Sequence, residues 1–394
     1  MQIIRKNLNW RTLIFFTIGI LTTSLFFTNL LTDAVEISNI EFIGQATLPK
    51  RLSFQNTPLG GLSGITYDSS NDLYYAISDD RGQKAPARFY TFKIDLSQGK
   101  LQDSSVVPVG VTTLLNENGQ PFVPGETDTE GIAVTQAETV FISSEGDVDN
   151  LTNPFIKEFP LSSGKAISSL PIPKKFLPDK SRKQGIRNNL AFESLTITPN
   201  NKYLFTATEN ALIQDGEAAQ PNVGSPCRIL QYNLQNNQPE KEFLYQTEPV
   251  SAFFNLTGKF ASGLPDLIAL DNHGHLVSIE RSFAGLGFGV SLFQVSLAGA
   301  DNIQNLNSLL TINSKNIKPV EKKLLLDLRT LDVALDNIEG LTIGPWLPNG
   351  QKALILISDN NFNSIQRNQI LAFQLKIESP FLRLFRRIVQ NFKL

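Results

Sequence analysis

The chain has 394 residues, 41% hydrophobic and 18% charged, with a formal net charge of −2. That composition supports a packed core and gives no excess of basic charge for a nucleic-acid partner. The one cysteine, Cys227, excludes an intramolecular disulfide, so the fold must stand on packing or bound metal, and the thiol reads as a small buried hydrophobe.

The chain begins with Arg5, Lys6 and Arg11, followed by an uncharged run from Leu13 to Leu31. Basic flanks before such a run predict export, with residues 1–34 acting as a signal peptide or a retained membrane anchor. Either places the body outside the cytoplasm, periplasmic or extracellular.

From Val35 onward, short β-branched and aromatic runs alternate with Gly, Asn, Asp and Pro, a pattern of strands and turns. Five segments share one layout: a strand opening on a small or acidic residue, a turn, a second strand ending in an acid, then a third strand. The opening residues are Ser63, Glu130, Glu193, Asp266 and Glu339, at spacings of 67, 63, 73 and 73. After each third strand except the last comes a further apolar run, such as SVVPVGV, KEFLYQT or KKLLLDL. The fifth repeat lacks it, and Ile37–Leu48 is the candidate replacement. The expectation is an all-β propeller of five four-stranded blades over residues 35–378, closed by an N-terminal strand. Six blades, or an elongated solenoid, are the structural alternatives.

The opening residues pair with the acids that end the second strands: Ser63 with Asp79, Glu130 with Glu145, Glu193 with Glu209, Asp266 with Glu280, Glu339 with Asp359. In an antiparallel hairpin these positions share one edge, so a propeller gathers the carboxylates on one rim, with Asp80, Asp147 and Asp271 as further contributors. Clustered carboxylates repel unless a cation neutralises them, and an oxygen-only set suits Ca²⁺. The alternative for each pair is capping of backbone N–H groups.

At these residues the sequence resembles the phytase-like (esterase-like activity of phytase) family. The matching stretches are NIEGLTIGP with LILISDNNF and QILAF, AFESLTITPNNKYLFTATE, DTEGIAV with ISSEGD, LSGITYD with YAISDDR, and LVSIERSF. Ser194 departs from the pattern at a position where it usually has Gly, and Asp147 with Asp149 extend the ISSEGD loop. The resemblance implies a calcium-dependent hydrolase of phosphate or other esters on a propeller. It would hold metal with Asp79, Glu130, Glu145, Asp147, Glu193, Glu209, Glu339 and Asp359. Glu193 and Glu339 are the candidate catalytic carboxylates and Arg81 and Arg187 the candidate catalytic cations. Arg81, Arg88 and Arg187 could clamp phosphate oxygens or pair with rim acids.

Other chemistries find no support. The two histidines, His273 and His275, share one turn and read as exposed; no H-E-x-x-H or paired Cys suggests zinc. Ser63 in G-G-L-S-G lacks the second Gly of a nucleophile elbow. The basic stretch 174–187 reads as a surface loop. The tail, 379–394, spaces its apolar residues as a basic amphipathic helix, suited to a membrane surface or to packing on the propeller. Three functions stay open: a calcium-dependent phosphoesterase with a small-molecule ester substrate, a lactonase or general esterase, and a non-catalytic binding propeller with structural calcium.

Overall fold

Each second strand of the repeat is apolar on both faces, and consecutive residues must bury in opposite directions. Tyr74 and Ala76 pack in one core cluster while Tyr75 and Ile77 pack in the next. A sheet buried on both faces needs a neighbour on each side, and a ring of sheets supplies this without end.

The computed structural model describes residues 35–250, 258, 260–285, 287–310 and 316–378. Ile37–Lys376 form one compact unit. Strand β1 (Glu36–Leu48) is followed by the short hairpin β2 (Ser53–Phe54) and β3 (Thr57–Pro58). Blade 1 comprises β4 (Leu62–Asp68), β5 (Leu73–Ser78), β6 (Arg88–Ile94) and β7 (Val106–Thr113). Blade 2 comprises β8 (Thr129–Val134), β9 (Thr139–Ser144), β10 (Phe155–Pro160) and β11 (Ser168–Leu170). Blade 3 comprises β12 (Thr196–Ile197), β13 (Tyr203–Ala207), β14 (Pro226–Asn233) and β15 (Gln238–Gln246). Blade 4 comprises β16 (Phe260–Ala269), β17 (His275–Ala284), β18 (Phe288–Ser296) and β19 (Glu321–Asp327). Blade 5 comprises β20 (Ile338–Trp346), β21 (Lys352–Ser358) and β22 (Asn368–Glu378), and β1 completes it in the order β1-β22-β21-β20. The protein is therefore a five-bladed propeller closed by its N-terminal strand. Among the described residues there is no sixth blade.

Five apolar clusters lie between successive blades: 5 and 1, 1 and 2, 2 and 3, 3 and 4, 4 and 5. Much of the phenylalanine in the chain fills them, Phe89, Phe159 and Phe373 among the fully buried side chains. Each such side chain contributes about 1.5–3 kcal/mol of burial free energy.

The inner strands approach closely at one end of the channel. A Cβ on Gly131 would stand 2.7 Å from Leu195 Cβ and 2.8 Å from the Glu193 carbonyl, and one on Gly340 would stand 2.7 Å from the Ser63 carbonyl. The Gly after the opening residue thus lets neighbouring inner strands meet. Ser194 holds this slot in blade 3, where its buried Oγ accepts from Ala207 N at 2.8 Å. The other end mixes apolar and polar side chains, Ile65, Val134 and Ile268 with Thr66, Thr342 and Lys352, around a cavity of about 230 Å³.

Among the described residues no helix is long and apolar enough to cross a membrane. The expected export segment, 1–34, and the basic tail, 379–394, lie outside the described residues.

Candidate metal centre

The register of the inner hairpin breaks at the opening residue in blades 1, 2, 4 and 5, between Leu62 and Gly64, Thr129 and Ile132, Gly263 and Asp266, and Ile338 and Gly340. Such a bulge re-aims a side chain, here toward the channel mouth. The acid that ends the second strand is fixed by one repeated bond. Asp79 N donates to Gly61 O at 2.6 Å, Glu145 N to Asp128 O at 2.9 Å, Glu209 N to Ala191 O at 2.8 Å and Asp359 N to Asn337 O at 2.9 Å. In each case the acceptor lies two residues before the opening position.

Blade 4 departs from its expected pairing by one residue. Gly263 stands opposite Arg281 and Asp266 opposite Ile279, whereas Gly340 stands opposite Ile357 in blade 5. Asp266 therefore occupies the Gly slot, Pro265 the opening slot and Arg281 the slot of the rim acid. Asp266 is buried and accepts from Leu267 N at 2.8 Å and from Leu341 N of blade 5 at 2.9 Å, with Leu195 of blade 3 giving a further backbone bond. Burial raises its pKa against those donors. Glu280 points instead to Tyr245 Oη at 2.8 Å and Lys322 Nζ at 2.6 Å.

The mouth is thus a ring of acids with Arg281 built into it. Arg281 Nη2 donates to Glu209 Oε1 at 2.7 Å, and its Nη1 donates to Glu339 Oε1 and Asn337 Oδ1, each at 2.6 Å. Opposite it, Asp79, Asp128 and Glu130 bring one oxygen each within 4.8 Å of one another, and Glu130, Glu145 and Glu193 do the same. Glu130 belongs to both groups. Arg81 closes the outer edge, with Nε 2.9 Å from Asp128 Oδ1 and Nη2 2.6 Å from Asp128 Oδ2.

These acids are held in an environment that opposes their charge. Burial first, then the neighbouring carboxylates, pushes Asp79, Glu130 and Glu193 well up. Glu145 rises to about 8, through burial and Asp128, although Ala191 N donates to its Oε1. Glu339 also rises to about 8 through burial, with Arg281 pulling the other way, and burial lifts Asp359 to about 6. Glu145 is 1% exposed, yet its Oε2 has no hydrogen-bond partner, and Asp79 Oδ1 is likewise buried without one. An oxygen-only donor set with unsatisfied buried oxygens fits a hard divalent cation.

The ring brings together seven of the eight expected metal-binding acids, with Glu209 and Glu339 engaged by Arg281. Asp147 belongs to neither oxygen group, its Oδ1 accepting from Asp149 N and Asn150 N in a turn, although it lies near enough for its charge to add to burial in raising the Asp128 pKa. Asp80 pairs with Arg88 at 2.7 Å, and both are buried. Asp271 sits in the β16–β17 turn at the opposite end and holds His275 Nδ1 at 2.7 Å, so His275 is a buried strand residue rather than an exposed one. Of the arginines, Arg88 is fully buried on Asp80, Tyr90 and Pro58, and Arg187 donates to the carbonyls of Ala211 and Gly216. Within 174–187, Lys175 is buried against Glu242 at 3.1 Å, so this stretch is not wholly a solvated loop. Cys227 is buried, as expected, with Sγ 3.1 Å from Glu209 O.

Asp128 and Arg281 were not among the expected site residues. Asp128 carried a signal, since it stands two residues before Glu130 in D-T-E-G. Arg281 was hidden by the one-residue register of blade 4.

A family model described as phytase-like, esterase-like activity of phytase, matches residues 57–362. The chain belongs to the phytase-like family. Solved structures similar to this phytase-like protein include an endo-arabinase from Bacteroides thetaiotaomicron, 13% identical over 79% of this chain and 93% of that one, TM-score 0.41. An endo-1,4-beta-xylanase from the same organism is 13% identical over 82% and 97%, TM-score 0.42. An alpha-L-arabinofuranosidase from Lactobacillus brevis is 10% identical over 80% and 91%, TM-score 0.42. At these values the likeness carries nothing about activity. Comparison with curated proteins gave no match.

Proposed function

We propose that this phytase-like protein is an exported Ca²⁺-dependent hydrolase of phosphate or other small-molecule esters. The observation that carries the reading is the pair of oxygen groups sharing Glu130, with a buried Glu145 oxygen left unpartnered. A bound Ca²⁺ would polarise an ester oxygen and position a water for attack. Asp79, Asp128, Glu130, Glu145 and Glu193 are the residues that would hold it. Glu339 lies outside both groups, and a carboxyl raised to about 8 suits proton transfer at neutral pH. Arg81 keeps Asp128 in place and is 36% exposed, so it can meet an anionic group at the mouth. Because Arg88 and Arg187 are committed to protein acceptors, the mouth itself suits an ester of low negative charge. In this reading residues 1–34 carry the body out of the cytoplasm and the tail adds a membrane contact.

A second reading, structural calcium in a non-catalytic propeller, is favoured by the depth of Glu130 and Glu145, at 6% and 1% exposure. Release of p-nitrophenol from phosphate and acyl esters, with calcium stripped and restored, separates them. The hydrolase reading expects turnover that chelator abolishes and Glu130→Gln removes. Turnover indifferent to chelator would overturn it, and calcium binding without turnover of any ester would leave the structural ion.

A further inference from the structure

Beside the ring lies a cleft of about 680 Å³ at the seam of blades 5 and 1. One wall is the segment around the β2–β3 hairpin, with Lys50, Arg51, Ser53 and Asn56. The other is the loop after β21, with Asn360, Phe362, Asn363 and Ser364, and Lys84 from the loop after β5 faces the same space. Three basic residues line it and no acid does, in a chain where acids outnumber bases by 37 to 35. Among the described residues Arg51 and Lys84 have no hydrogen-bond or ion-pair partner, while Lys50 Nζ ties the two walls through Ser364 O at 2.8 Å. The three cations are exposed side chains at the rim of an open cleft, brought there by separate loops, an arrangement suited to an oxyanion.

The loops are shaped for this space. Arg51, Asn361 and Phe362 hold left-handed backbone, with φ of 58°, 46° and 49°. A bulky residue keeps that conformation only where its surroundings impose it. Here it lays the Phe362 ring against Gly60 and Gly61, where an added Cβ would stand 3.1 and 2.6 Å from the ring. The ring, with Leu52, Pro58 and Leu59, gives the cleft an apolar floor below its cations. One residue, Gly61, separates cleft from ring: its N donates to Asn360 Oδ1 at 2.9 Å, and its O accepts from Asp79 N at 2.6 Å.

We propose that this cleft binds a small organic molecule through a phosphoryl-type oxyanion, with Arg51, Lys84 and Lys50 as its cations and the Phe362 floor against its carbon skeleton. Binding there needs no ion in the ring. Only the further step, that the bound molecule presents its own ester bond to the ring, rests on the hydrolase reading.

The test is a calorimetric titration of glucose 6-phosphate into the full chain in chelator at low salt, with glucose as the uncharged control. The phosphate should bind and glucose should not. Affinity should fall as salt rises, and fall at least about tenfold in the Arg51→Gln/Lys84→Gln variant. Glu145→Gln should leave it unchanged. Equal binding of glucose, equal affinity in the double variant, or no binding in chelator would overturn the proposal. So would binding that requires added calcium and is lost in Glu145→Gln, because the anion would then sit on the ring's ion. Chelator-independent binding in a protein that takes up no calcium would uphold the cleft while removing the hydrolase reading.

Discussion

Arg281 divides the ring into two unequal parts. Its guanidinium satisfies Glu209 and Glu339 from within the protein, and leaves Asp79, Glu130, Glu145 and Glu193 to find a cation elsewhere. Arg281→Gln removes the one cation among the described residues that touches both acids, leaving Glu209 and Glu339 without their charged donor. Breaking a buried pair in this way typically costs about 3–5 kcal/mol. The variant should unfold at lower denaturant when calcium is stripped, and calcium should recover part of the loss by occupying the vacated position. A denaturant midpoint equal to the parent's would contradict this role. Asp266 has a different task, because its carboxylate ties blade 4 to the inner strands of blades 3 and 5. Asp266→Ala should cost about 2–4 kcal/mol, measured by urea unfolding, without changing calcium affinity. A matching loss of calcium affinity would make it part of the metal set.

The repeat was readable at the scale of the strand because both its periods are simple. Alternation of two marks buried strands, and a recurrence every 63 to 73 residues marks blades. The missing outer strand was equally readable, since a propeller must close and Ile37–Leu48 was the unused apolar run. What escaped was the register of blade 4. Pairing Asp266 with Glu280 satisfied the charge pattern, but the bulge in that hairpin advances the strand and hands the rim position to Arg281. Bulges leave little mark on composition, and a one-residue shift exchanges which side chains share an edge. Whether an arginine clamps a ligand or a carbonyl was hidden for a similar reason, as with Arg187 and Gly216, which are 29 positions apart. The Gly after each opening residue makes a sharp test of the inner packing. Gly131→Ala places a Cβ against Leu195 and the Glu193 carbonyl, and overpacking of this kind costs about 1–3 kcal/mol. Thermal unfolding should show that loss; an unchanged midpoint would mean the inner strands can separate there.

Across the molecule, the ring couples stability to pH. Glu145 and Glu339 have folded pKa values near 8 against ordinary values of 4.5, so between those limits the folded protein holds more protons than the unfolded chain. Stability without metal is then highest at the acid end of that window and falls as pH rises toward 8. Calcium replaces those protons, so its stabilising effect should be greater at pH 8 than at pH 5.5. Melting curves in chelator and in calcium at both pH values check this, and a chelator curve independent of pH would contradict it.

The most direct measurement is calcium binding by calorimetry to the stripped protein, beside Glu130→Gln and Glu145→Gln. Glu130 is shared by both oxygen groups and Glu145 carries the unpartnered buried oxygen. Calcium should bind the parent, with affinity reduced about tenfold or more in each variant. No binding to the parent, or equal binding by all three, would contradict a metal centre in the ring.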